Sequence, residues 1–189
     1  MPDAPPDADI LAMQRLAAGD DLALNEIMQR WREKVTGFLQ RMTGDGETAV
    51  DLALETFVRL YQSRASYTPR AAFPTYLFRI AANLARNHQR WQRRHPTVAL
   101  EDQLTTGVDP DAATPQPDEN ADYEERLMAI EKAIAALPTE LREAMLLFTY
   151  EDMSYAQIAE TVHCSVKAVE TRIYRARQML KSLLKELDA

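Results

Sequence analysis

Between His95 and Ala121 the sequence HPTVALEDQLTTGVDPDAATPQPDENA carries four prolines, many acids and little apolar content that repeats with a period. Such a composition cannot bury enough surface to offset the entropy of ordering it, so it reads as a tether and splits the chain in two. Fully extended it reaches at most roughly 90 Å, and as a random coil about 30 Å. On either side of it, apolar residues recur in steps of three and four, the spacing of one helix face, and the first half shows no strand-like alternation. The expected fold class is therefore all-α, with two small helical domains joined by a flexible acidic linker.

The expected boundaries are a disordered tail at 1–9, a first domain at 10–94, the linker at 95–121 and a second domain at 122–189. Leu24, Ile27, Met28, Trp31, Val35, Phe38, Leu39 and Met42 mark one helix, which the TGDG sequence at 43–46 breaks. A second helix, from about Glu47 to Gln62, is expected to bury Val50, Leu54, Phe57, Val58 and Tyr61. A third, from about Thr75 to Arg93, is expected to bury Leu77, Ile80, Ala81, Leu84, His88 and Trp91. Past the linker, Tyr123, Leu127, Ile130, Ile134 and Leu137 mark a helix that Pro138 ends, and Thr139 is expected to cap the next. Ser154 to Gln157 has the S-x-x-Q form of a capping box, and Ser165 is placed to cap the last helix.

The net charge of −7 argues at first against a nucleic-acid partner, but the charges are segregated. Residues 56–100 hold eight arginines and no Asp or Glu, and residues 163–181 hold five basic groups and one acid. Residues 101–131, between them, hold ten acids and one arginine. Phosphate neutralisation acts at contact range, so local potential decides. No apolar run approaches the ~20 residues of a membrane helix. The acidic, proline-rich start does not read as a secretory signal, and the single cysteine, Cys164, fits a reducing cytosol.

Ser154 to Leu180 has helix–turn–helix proportions: a short capped helix, a turn of three or four residues, then a longer helix. Ile158, Ala159, Val162, Val169, Ile173 and Ala176 form the expected core between them. Lys167, Glu170, Thr171, Tyr174 and Gln178 then face outward, flanked by Arg172, Arg175 and Arg177. Such a helix suits a major groove, with Lys167 and Thr171 toward base edges and the arginines toward phosphates. An ordinary helical hairpin with a solvated basic face has the same local pattern.

On the third helix, a 100° step per residue gathers Tyr76, Arg79, Asn83, Arg86 and Arg90 opposite Leu77. Guanidiniums that track a backbone, a ring that stacks on a base and an amide for an exposed base edge suit single-stranded DNA. Tyr67 and Phe73, just upstream, are placed to wall a base pocket. On the second helix, Leu52, Glu55, Thr56 and Arg59 lie opposite the expected buried stripe, and with Asp51 they form either a docking face or an ordinary surface with one exposed leucine.

Three ordered motifs, DLALETFVRLYQ (51–62), FPTYLFRIAANLARNHQRWQRR (73–94) and LPTELREAMLL followed by MSYAQIAETVHCSVKAVETRIYRARQML (137–180), resemble a bacterial sigma factor of the extracytoplasmic-function group. The resemblance implies a promoter-specificity subunit with no enzymatic activity and no cofactor. It implies that Asp51, Leu52, Glu55, Thr56 and Arg59 dock on the clamp helices of the largest subunit of core RNA polymerase. It implies that Tyr67, Phe73, Tyr76, Arg79, Asn83, Arg86 and Arg90 hold the melted −10 element, with Asn83 on an extruded base. It implies that Lys167, Glu170, Thr171, Arg172, Tyr174 and Arg175 read the −35 element as duplex, and that an anti-sigma factor is a further partner.

Two departures from the family pattern stand out: Glu170 takes a place where a basic or small polar residue is frequent, and Tyr76 replaces a commoner tryptophan. The alternative from the residues themselves is a stand-alone regulator whose second domain grips an operator while the first dimerises or senses a signal. An enzyme reading finds no support: His88, His95, His163 and Cys164 lack zinc-ligand spacing, and no Gly-rich phosphate loop or nucleophile motif occurs.

Overall fold

A computed structural model of the chain describes residues 8–69, 71–95 and 119–187. Its elements are α1 (Ala8–Ala17), α2 (Leu22–Thr43), α3 (Gly46–Gln62), a 3₁₀ turn (Arg64–Ser66), α4 (Phe73–Arg94), α5 (Glu119–Ala136), α6 (Thr139–Thr149), α7 (Tyr155–Val162) and α8 (Val166–Leu187). No strand occurs among the described residues. The linker expected at 95–121 lies outside them apart from His95 and the start of α5, and so does the tail apart from Ala8 and Asp9.

Helix α1 was not expected at all. Ala12, Met13 and Leu16 bury one side of it. Asp9, placed in the tail by the sequence, is buried and accepts hydrogen bonds from Arg30 Nε at 2.7 Å and Trp31 Nε1 at 2.9 Å. An acid in that position is held by its two donors, so the proline-rich start gives way to ordered structure earlier than composition suggests.

Helix α2 ends where the TGDG sequence requires. Gly44 takes φ +79°, the left-handed conformation that glycine adopts without strain, and its N–H caps Gln40 O. Asp45 then opens α3 by accepting from Thr48 N at 2.8 Å, and hydrogen bonding from the Thr48 side chain and main chain holds its carboxyl below the usual range. The core of the first four helices is aromatic: Phe38 and Phe78 meet edge-on at 5.4 Å and 85°, and Trp31 closes on Phe78 and Phe73.

In the second group the capping box forms as expected. Gln157 N donates to Ser154 Oγ, and Ser154 N donates to Gln157 Oε1. His163 adopts the left-handed conformation at φ 54° and makes the turn, and Ser165 Oγ accepts from Ala168 N to start α8. Ile158, Ala159, Val162, Val169, Ile173 and Ala176 are all buried, which is the helix–turn–helix core read from the sequence.

The two groups do not stand apart: α4 packs on α7, and α2 packs on α5 and α6. Thr139 does not cap α6. Its hydroxyl donates instead to Gln89 Oε1 of α4 at 2.8 Å. Trp91 is 52% exposed, not buried, and stacks on the ring of His95 at 5.0 Å.

Candidate nucleic-acid interface

Helix α3 presents a different face from the expected one. Ala49, Ala53, Thr56, Phe57 and Leu60 are buried, while Val50, Leu54 and Val58 are 49%, 51% and 47% exposed. Small alanines on the inner face let α3 approach α2 closely, so the larger aliphatic residues are left outside. Thr56, expected on the docking face, is fully buried and donates to Leu52 O at 2.8 Å, and Leu52 is half-buried against the core. Asp51 and Arg59 are exposed, and Glu55 accepts from Arg59 Nε at 2.7 Å. Val50, Leu54 and Phe57 line a groove of about 460 Å³ whose other wall is α2, from Arg32 to Gln40.

The Tyr67 ring lies 5.0 Å from that of Tyr76, the Tyr76 hydroxyl meets Ser63 Oγ at 2.6 Å, and Arg79 stands 5.2 Å over the Tyr76 ring. Tyr67, Tyr76 and Arg79, with Ser66, Thr68, Ala71 and Thr75, line a cavity of about 500 Å³. Thr75 is buried and its hydroxyl has no hydrogen-bond partner. Glu160 of α7 closes one side of the cavity, a feature that no local pattern in the sequence signals. Phe73 is not part of this wall: it is fully buried at the start of α4 with its ring 5.9 Å from Trp31, so it supports the pocket from inside the core.

Further along α4, Asn83 is exposed and its Oδ1 accepts from Arg86 Nη2 at 2.5 Å. Arg90 is also exposed, and Arg93 donates to Thr139 Oγ1 at 3.2 Å. Of the ridge read from the sequence, Tyr76 and Arg79 border the cavity and Asn83 and Arg90 are exposed, whereas Arg86 is half-buried.

On α8, Lys167, Glu170, Thr171, Tyr174 and Arg175 are exposed together. Lys167 Nζ pairs with Glu170 at 2.9 Å on this exposed surface. Arg172 turns away from this surface. It pairs with Glu140 at 2.7 Å and contacts Cys164 Sγ at 3.7 Å, so it braces α8 against α6.

Residues 27–95 match the family model described as Sigma-70 region 2, and residues 127–180 match Sigma-70, region 4. The ECF RNA polymerase sigma-E factor of Haemophilus influenzae is 33% identical over 185 residues, covering 95% of this chain and 96% of its own. The RNA polymerase sigma-H factor of Pseudomonas aeruginosa is 31% identical over 179 residues, with 93% of each chain covered. The chain is a sigma factor of the extracytoplasmic-function group. Sigma factors are transcription initiation factors, not enzymes. A solved structure described as CnrH in complex with the cytosolic domain of CnrY superposes with a TM-score of 0.72 at 25% identity, covering 95% of the sigma factor and 99% of that chain. The sigma factor RpoE of Bartonella quintana, solved with the anti-sigma factor NepR, shares the fold at a TM-score of 0.65 and 23% identity, covering 85% of this chain and 96% of its own. No helix among the described residues is long and apolar enough to cross a membrane.

The sigma factor buries one carboxylate at the seam between its two helical groups. Glu143 of α6 is fully buried, with Arg86 Nη1 of α4 at 3.5 Å, and neither carboxylate oxygen receives a hydrogen bond. Burial pushes its pKa up to about 7, against the opposing pull of Arg86 and Arg172 and with a small push from Glu140. Below the ordinary glutamate range the folded and unfolded chains both carry the proton. Between about 4.5 and about 7 the unfolded chain releases it and the folded one keeps it, so stability falls as pH rises through that window. Above it the buried charge costs on the order of 3 kcal/mol. Thermal melts from pH 5 to 8 are expected to show Glu143→Gln gaining on the parent as pH rises. Parallel curves would remove Glu143 as the cause. Glu151, also raised to about 7 by burial, retains its own share of the slope in both proteins.

Proposed function

We propose that this sigma factor binds core RNA polymerase through the exposed face of α3, reads the −35 element with α8 and opens the −10 element by holding unstacked bases against α4. The protein then works in the cytoplasm, with residues 10–94 and 122–189 as its two promoter-binding domains and 95–121 as the segment between them. The observation that carries the reading is the aromatic cavity at Tyr67 and Tyr76, directly continuous with a ridge of arginines and an exposed amide. Its volume of about 500 Å³ has ample room for a base, and Thr75 adds a hydroxyl with spare hydrogen-bonding capacity.

Opening needs no ATP in this scheme. Extruding a base costs a few kcal/mol of lost stacking, and a ring that stacks on it returns about 1–3 kcal/mol. Arginines along α4 add phosphate contacts. On α8, Lys167 pairs with Glu170 and the Thr171 hydroxyl donates to Lys167 O, while Tyr174 and Arg175 stand exposed beside them for the −35 duplex. The clamp helices of the largest polymerase subunit are the proposed partner for Val50, Asp51, Leu54, Glu55 and Val58. An anti-sigma factor is a second proposed partner, supported by the similar fold of the Bartonella quintana sigma factor RpoE solved in complex with the anti-sigma factor NepR.

Asn83→Ala tests the −10 role because Asn83 is exposed and its loss leaves the core intact. On promoters mapped by run-off transcription from genomic fragments, permanganate reactivity of the open complex is expected to fall about 10-fold, the equivalent of one base contact. Affinity for core polymerase is expected to stay the same. Reactivity equal to that of the parent would take Asn83 out of the melting site.

A further inference from the structure

We propose that the Lys167–Glu170 ion pair reads one G·C pair of the −35 element, with Lys167 donating to the guanine and Glu170 accepting from the cytosine. This rests on the assignment of α8 to the −35 duplex made above. Lys167 and Glu170 lie near the start of α8, and the N-terminal residues of a recognition helix are the ones that reach base edges. With Thr171 and Tyr174 they follow the steps of three and four that keep side chains on one helix face. All four are exposed, and together they border a recess of about 430 Å³.

The two charged heads are close enough to address a single base pair. Lys167 Nζ stands 2.9 Å from Glu170 Oε2, so a cluster of donors and an acceptor are presented side by side. In the major groove a G·C pair shows two neighbouring acceptors, guanine N7 and O6, followed by the cytosine N4 donor. The ammonium has three donors and can serve both guanine atoms. The carboxylate keeps lone pairs beyond the one that Lys167 uses, and these accept from N4.

No other base pair fits as well in that register. A T·A pair gives the ammonium one acceptor, O4, beside a methyl group, and sets adenine N7 next to the N6 donor, where it repels the carboxylate. The two remaining pairs place a donor before Lys167 and an acceptor before Glu170, like against like. Pairing also removes the usual objection to an acid against DNA. A lone carboxylate is repelled by the flanking phosphates, whereas one held by an ammonium enters the groove as a neutral unit. Thr171 spends its proton on Lys167 O at 2.9 Å and does not compete for the base edge.

The test uses holoenzyme assembled from core RNA polymerase and the full chain, on a mapped promoter whose −35 segment is replaced by a randomised library. Sequencing of the bound fraction is expected to show one position where G·C exceeds every other pair by about 10-fold, the discrimination of a good two-bond contact. Glu170→Gln brings an amide whose two groups fit adenine N6 and N7. At that position the preference is therefore expected to leave G·C and settle on T·A, with thymine where guanine stood. Lys167→Met, which removes the guanine contact, is expected to cut the preference there to below about 2-fold. Both residues are exposed, so circular dichroism melts of the variants should match the parent. A G·C preference that survives Glu170→Gln overturns the proposal. So does a parent with no G·C-selective position, or a uniform loss of occupancy with base preferences unchanged. A parent with no base preference anywhere in the segment also takes down the −35 reading of α8, whereas preferences that ignore Glu170 leave that reading standing.

Discussion

Leu54→Asp is expected to reduce recovery of core RNA polymerase on the tagged chain to below about a tenth, the scale of a central interface residue worth 2 kcal/mol or more. Leu54 is 51% exposed between Val50 and Val58, one helical turn away on each side, and it lines the groove against α2. Three aliphatic side chains in a row on a helix otherwise bordered by Asp51, Glu55 and Arg59 form an apolar strip with charged edges, the usual anatomy of a protein contact. A carboxylate in the middle would have to be desolvated against that partner. Because Leu54 is exposed, the substitution is expected to leave stability within about 0.5 kcal/mol, so circular dichroism melts should match those of the parent. Undiminished recovery would remove the strip from the polymerase interface. Thr56 serves as the contrast: it is fully buried, so its replacement acts through folding and not through the surface.

The reason α3 was misread in sequence is instructive. Val50, Leu54 and Val58 repeat at i, i+4 and i+8, which is the signature of a buried stripe when hydrophobicity alone is weighed. The true inner face carries Ala49, Ala53 and Thr56, whose small side chains allow close packing on α2 and whose one polar group is satisfied within the helix. A large aliphatic residue and a small one compete for the inside, and interhelix distance decides. Phe73 and Trp91 were misplaced for related reasons. The first sits where α4 enters the core. The second lies near the C-terminal end of α4, where its half-exposed ring stacks on His88 and His95.

What the sequence did convey was local. The break at Gly44, the capping box at Ser154, the Ser165 cap and the helix–turn–helix core all depend on residues within a few positions of one another. The arginine ridge was legible for the same reason, since one helix places it. The seam was not legible, because it joins Gln89 and Arg142 to a main-chain carbonyl at Met42 and buries a glutamate that any pattern would leave at the surface. Glu160 reached the Tyr67–Tyr76 cavity by the same long-range packing.

Phe78→Ala is expected to destabilise the first four helices by about 3–5 kcal/mol, the range for removing a buried ring. Phe78 is fully buried, edge-on to Phe38 at 5.4 Å and to Trp31 at 6.2 Å, and it ties α4 to α2. Its loss leaves a cavity that both neighbouring rings face, and a helical domain of this size has little stability beyond that amount. Denaturant melts followed by tryptophan fluorescence report the change directly, since Trp31 borders the hole. The functional consequence follows from the geometry. The strip on α3 proposed for polymerase and the ridge on α4 proposed for the −10 element share this core, so Phe78→Ala is expected to lose both activities together, whereas Leu54→Asp is expected to lose polymerase binding and Asn83→Ala to lose melting. Phe78→Leu, which refills most of the space, should recover both. A Phe78→Ala protein that melts with the parent would show that α4 is held mainly from its other side, by α7 across the seam.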